Sequence, residues 1–216
     1  MYLDYSSNEL ISNLSSIPRY WDGRESILDM KNNSFPHWKQ MEWIGFYFEY
    51  LCSLHLSSIM DLPGPNYGNT GFDGFLEIPW DFKSHAMNSG VNEIIVNDSE
   101  AISNAIKDYG VVGLILAMGF VQYDEDGSFK VWHDRQKGKR SQYEFDRIKR
   151  GARSRRRKVS FDLQKIMLLK IADSTLIKCG TFQEGFRNAD GSPRRVKVKL
   201  SLNKIDEEII YVLNFA

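Results

Sequence analysis

The stretch Phe72-Asp-Gly-Phe-Leu-Glu-Ile-Pro-Trp-Asp-Phe-Lys83 governs how the rest of the chain is read. Residues Gly71 to His85 read as two short strands around a turn near Glu77 to Pro79. With the turn centred on Glu77, Asp73 and Asp81 each lie four residues from the centre and face one another across the pair. Opposed residues point to the same face, with Cβ atoms about 4.5–5.5 Å apart. Lys83, two residues past Asp81, returns to that face. Two carboxylates and an ammonium therefore converge without help from any distant part of the chain.

Outward from this hairpin the patterning mixes helix and strand. Asn8 to Ile17 reads as a short helix ending at Pro18. Pro36 to about Ser57 reads as a longer, largely buried one, with Ser34 as cap and Pro36 in the first turn. The turn-rich PGPNYGNTG, residues 63–71, leads into the hairpin. Beyond it, Asp98 caps an amphipathic helix running to Tyr109, which Gly110 stops. Val111 to Tyr123 is apolar enough for a central strand covered on both faces. Phe129 to His133 reads as a returning strand, and Ser141-Gln-Tyr-Glu144 as a capping box opening a helix. Val196, Val198, Leu200 and Leu202 alternate after the turn NADGSP, a hairpin signal. The expected class is α/β (α+β), with a mixed central β-sheet flanked by helices. One domain is expected over residues 1–216, its core at about 36–133, a basic segment at about 135–160 and C-terminal strands at about 161–216.

Composition narrows the compartment and the partner. A chain of 216 residues removes roughly 70 % of its unfolded surface from water, so it needs neither disulfides nor a structural metal. Its two cysteines, Cys52 and Cys179, form no CxxC and fit a reducing cytoplasmic setting. The amino terminus lacks the signal-peptide pattern, and the longest apolar run, 11 residues from Val111 to Val121, is too short to span a bilayer. A net charge of zero conceals a strong asymmetry. Between Arg135 and Lys158 stand 12 Lys or Arg against Glu144 and Asp146, a local charge of +10 on an otherwise acidic chain. Cations at that density repel one another unless something neutralises them, and phosphates do so. Lys137, Lys139, Arg140, Arg150, Arg153, Arg155, Arg156, Arg157 and Lys158 are the candidate contacts to nucleic acid, DNA or RNA.

Two opposed carboxylates can hold a hard divalent cation, Mg²⁺ above all, which binds through one or two carboxylates and keeps several waters. Such a cation acidifies a bound water and offsets charge on phosphoryl oxygens. A neighbouring lysine can orient or deprotonate that water, or stabilise the transition state; the sequence leaves these roles open. Asp73 followed by Asp81-Phe82-Lys83 on the next strand resembles the PD-(D/E)XK nuclease signature. The resemblance spans about residues 36–123, read as helix, hairpin, helix, strand, and Phe72 stands where the signature has proline. It implies that Asp73 and Asp81 ligate Mg²⁺, with Mn²⁺ as a substitute, and that Lys83 is the catalytic lysine. It also implies a glutamate from the preceding helix. Glu42 and Glu49 are both candidates, and Glu49 lies closer in sequence to the hairpin. By the same resemblance, a chain without P-loop or helicase motifs looks like a type II restriction endonuclease, a homodimer cutting a short palindromic DNA site. The alternatives are a structure-selective or RNA-directed nuclease on the same core, and a DNA-binding protein without catalysis.

Overall fold

Leu10 and Leu14 turn the amino-terminal helix into the protein, and Asp22 opens the next one. The computed structural model describes residues 2–68, 70–138, 142–187 and 192–215. Helix α1 (Tyr2–Leu14) leads past Pro18 into a short strand, β1 (Tyr20–Asp22), and then α2 (Gly23–Asn32). The Asp22 carboxylate accepts the N–H groups of Arg24 and Glu25, which would otherwise be orphaned at the start of α2. The long helix expected from Pro36 is shorter: α3 spans Trp43–Leu56. Ser34 takes a left-handed φ of +58° and caps nothing downstream, and the Gln40 N–H closes a turn on His37 O. Glu42 is left just outside α3.

The loop of residues 63–71 contains a small antiparallel pair, β2 (Asn66–Tyr67) and β3 (Thr70–Gly71). Strands β4 (Gly74–Leu76) and β5 (Ile78–Ala86) follow, turning on Glu77 at φ +60°. Next come β6 (Glu93–Asp98), α4 (Ser99–Tyr109) and β7 (Val112–Tyr123). Helix α4 begins and ends where the sequence places it, with Asp98 accepting the Glu100 N–H and Gly110 at φ +81°. The strand expected at Phe129–His133 is instead part of a helix, α5 (Ser128–Lys137). Local carboxylates decide this: Asp126 takes the Ser128 N–H, and Asp124 takes those of Phe129 and Lys130. Helix α6 (Gln142–Lys149) follows, while Ser141 of the expected capping box lies outside the described residues. The chain ends with β8 (Lys158–Ile171), α7 (Asp173–Cys179), β9 (Gly180–Gln183), β10 (Lys197–Ser201) and β11 (Ile209–Asn214).

These elements form an α+β fold around a mixed sheet ordered β1-β8-β7-β5-β4, with β11 also paired to β8. Strands β5 and β7 run parallel, joined through β6 and α4, and the other pairs of this sheet are antiparallel. The expected C-terminal hairpin is β9–β10, and β10 also pairs with β6 in a second, three-stranded sheet. Alternation along β7 separates two cores. Ile115 and Ala117 face α1, α2 and α3 with Trp21, Phe48 and Trp80. Leu114 and Leu116 face α4 and the smaller sheet with Ile102 and Val198. No described helix is long and apolar enough to cross a membrane.

Gly113 shows how tightly β5 and β7 are packed. A Cβ placed there would lie 2.2 Å from the Trp80 ring, whose side chain is fully buried. Gly113→Ala is therefore expected to destabilise the fold by about 1–3 kcal/mol, the usual range for overpacking. A urea midpoint matching wild type would show that the ring has room to move.

Candidate functional site

The site sits where β4 stops and β5 continues. Gly74 pairs with Trp80, so the next residues outward, Asp73 and Asp81, stand opposite one another as the sequence implies. The Asp73 N–H donates to Trp80 O at 2.9 Å, the last backbone bond of this pairing. From Phe82 onward the outer edge of β5 has no partner strand among the described residues, and an open edge leaves an N–H to be satisfied. The Asp73 carboxylate does so, accepting the Phe82 N–H at 2.6 Å. Lys83 folds back over the same edge. Its Nζ donates to Phe82 O at 3.1 Å and stands 3.5 Å from Asp73 Oδ2 and 3.6 Å from Asp81 Oδ1.

Burial makes this cluster electrostatically tense. The Asp81 side chain is only 2 % exposed. Asn97 Nδ2 donates to Asp81 Oδ1 at 3.1 Å, while Oδ2 is buried and has no hydrogen-bond partner. Burial pushes the Asp81 carboxyl up to about 7; Lys83 opposes the rise and Asp73 adds to it. Glu49, from α3, is likewise pushed up to about 7, by burial first and then by Asp73, with Asp81 adding to it against the pull of Lys83. Burial lowers the affinity of Lys83 for its proton, but Asp81, Asp73 and Glu49 together outweigh it and raise the lysine above its ordinary value.

Of the two glutamates weighed on the upstream segment, Glu49 is the one coupled to the hairpin. Glu42 stands farther out in the same cleft and holds Lys158 Nζ at 2.9 Å. The cleft has a volume of about 180 Å³, and Glu42, Glu49, Lys83, Ser84 and Lys158 are among the residues that line it. A larger hollow of about 490 Å³ opens beside β1 and α5, lined by Asp22, Asp124 and Asp126. Those three carboxylates are already engaged with helix N–H groups.

The basic segment divides into parts with different settings. Arg150, Arg153, Arg155 and Arg156 are exposed, Arg156 pairing with Glu125 across the Tyr123 ring. Lys137 pairs with Asp134 on α5 at 3.6 Å. Arg157 is only 7 % exposed, with Nε and Nη1 buried and unbonded, so it faces the interior rather than a partner's surface. Lys139 and Arg140 lie outside the described residues. Lys158, the last of the stretch, is the residue that enters the cleft. Sequence reasoning missed Asn97, which is buried and joins three segments. Its amide also donates to Gly71 O at 3.0 Å, and its Oδ1 accepts the Asp98 N–H at 2.8 Å. Nothing local marks an asparagine at the end of an edge strand as a brace for a carboxylate sixteen residues earlier.

Among the described residues no three His, Cys, Asp or Glu side chains form a ready metal-ligating group. The two opposed carboxylates still suit a hard, strongly hydrated cation that needs only one or two protein ligands. The unbonded Asp81 Oδ2 is a buried acceptor free to take that role, and a divalent charge would relieve the crowding that raises Asp81 and Glu49. No family model, curated protein or solved structure matches the chain.

Proposed function

We propose that this protein is a divalent-cation-dependent endonuclease of the PD-(D/E)XK kind, hydrolysing phosphodiester bonds of double-stranded DNA. Within that kind it fits the type II restriction class, a homodimer acting on a short palindromic site. The observation that carries the reading is the Lys83 ammonium, 3.5 and 3.6 Å from two carboxylates aligned across one hairpin end. A second supports it: the basic segment of residues 135–158 ends in the same cleft, at Lys158.

Asp73 and Asp81 would hold the cation, Mg²⁺ or Mn²⁺ in its place. When bound, it supplies an acidified water and offsets charge on the phosphoryl oxygens. The protein's own groups do the rest. Lys83, kept protonated by three surrounding carboxylates, donates to the phosphoryl oxygen on which negative charge builds. Glu49, half-buried and raised to about 7, is suited to accept a proton from the attacking water near neutral pH. One bond forms from water oxygen to phosphorus, one P–O ester bond breaks, and the departing oxygen leaves as a hydroxyl with a proton from solvent. Exposed Arg150, Arg153 and Arg155 hold neighbouring phosphates.

The test is digestion of a long, fully sequenced DNA with Mg²⁺, with Mn²⁺ and with EDTA. Discrete fragments that require the cation are expected, and their ends give the site. A smear would leave a nuclease without site specificity. Intact DNA under every condition, with tight salt-sensitive binding, would make the protein a DNA binder and the hairpin a scaffold.

A further inference from the structure

A second cationic tract lies outside the basic segment, in Arg187 and in Arg194-Arg195-Val-Lys-Val-Lys199. Along β10 its apolar members turn inward, Val198 and Leu200 being buried in the core against α4, so Lys197 and Lys199 fall on the other face. Arg194 and Arg195 precede β10 and are exposed. The fold brings Arg195 beside the segments that carry the carboxylate site. Arg195 Nη1 donates to Thr70 Oγ1 at 3.3 Å, three residues before Asp73. Arg195 Nε stands 3.9 Å from Asp98 Oδ2, and Asp98 follows Asn97, the brace of Asp81.

Balancing the Asp98 charge does not exhaust this arginine. Asp98 is almost fully buried and faces the Nε side of the guanidinium, and Thr70 takes Nη1. Among the described residues no hydrogen bond engages Nη2, and the side chain is 46 % exposed. One hydrogen bond to Thr70 and a looser ion pair to Asp98 thus hold a guanidinium whose remaining edge faces solvent, a fork of the kind that binds phosphate oxygens. Lys158 enters the cleft from the α3 side, through Glu42, whereas Arg195 approaches from the β6–β10 side.

We infer that Arg195, with Arg194 beside it, is a second phosphate-binding rim of the site, gripping the DNA backbone on the wall away from Lys158. The inference rests on the nuclease reading and extends it: the backbone crosses the carboxylate site between two cationic rims, one from each layer of the fold.

The experiment measures binding of a duplex of about 30 base pairs in EDTA, where no cleavage occurs, as a function of salt. Wild type, Arg194→Ala, Arg195→Lys and the double variant Arg194→Ala/Arg195→Ala are compared. Each phosphate contact contributes about 0.9 to the log–log salt slope, so the double variant is expected to flatten it by about 2 and weaken binding roughly tenfold or more near 0.1 M salt. Arg194→Ala is expected to flatten the slope by about 1 and Arg195→Lys to leave it near wild type, because the charge is kept. Among the described residues Arg194 has no buried partner that Arg194→Ala would orphan, so it reads the rim even if the double variant loses stability. Wild-type slopes in both alanine variants would overturn the rim alone. Absence of DNA binding by wild type would overturn the nuclease reading and the rim with it.

Discussion

Lys83→Met and Asp81→Asn are each expected to lower cation-dependent DNA cleavage by on the order of 10²–10³-fold, the usual loss when one charge-stabilising group is removed from an active site. Methionine preserves the length and packing of the lysine stem while removing the ammonium that stands between Asp73 and Asp81. Asparagine preserves the shape of Asp81 and removes a charge. Stability separates a functional site from a structural ion pair. The folded Asp81 carboxyl is raised, so ionising it opposes folding: stability is lost as pH climbs from the carboxylate range through about 7. Asp81→Asn is therefore expected to leave the fold at least as stable as wild type above pH 7 while cleavage collapses. Unfolding of both variants under those conditions would assign the trio to architecture instead. Crowded carboxylates that cost stability are common where function requires them.

The second large effect concerns acid stability and lies away from the cleft. His133 on α5 is buried, its Nε2 bonded to Trp38 O at 3.1 Å and its Nδ1 without a partner. Burial holds its pKa down at about 4; Lys137 and Arg157 add to the fall, and Trp38 O and Asp134 resist it. An unfolded histidine titrates near 6.5. The folded value is depressed, so stability is complete above about 6.5 and is lost as pH falls toward about 4. The loss amounts to about 3 kcal/mol. His133→Phe keeps an aromatic ring beside Phe129 and Trp132 and removes the titration. Subtracting its urea-unfolding free energy from that of wild type at each pH cancels the carboxylates common to both. The difference is expected to shift by about 3 kcal/mol between pH 7 and 4. A difference that stays flat would show that His133 takes up its proton inside the fold.

Much of this molecule is legible one segment at a time. Hairpin geometry is local, since a turn centred on Glu77 and a period of two suffice to put Asp73, Asp81 and Lys83 together, and the register of Gly74 with Trp80 agrees. Helix α4 is equally local, because Asp98 and Gly110 satisfy its two ends from within a dozen residues. Strand β7 announces itself by an apolar run that only a doubly covered strand can bury. Periodicity failed at Phe129–His133, where an apolar, alternating-looking segment follows carboxylates that satisfy helix N–H groups.

What only the tertiary structure decided is which distant groups share one low-dielectric space. Glu49 rather than Glu42 joins the hairpin because α3 starts at Trp43 and leaves Glu42 outside it. Charge in the basic segment is uniform as sequence, yet Arg157 turns inward and Lys158 enters the cleft, since the start of β8 buries one side chain and exposes the next. Asn97 and Arg195 carry no local signal. Asn97 reaches Asp81, and Arg195 reaches Asp98, because β6 and β10 pair, and pairing between segments about a hundred residues apart is set by burial of one face of that sheet against α4 and β7. The sequence by itself determined the chemistry of the hairpin; packing between its layers determined which charges surround that chemistry.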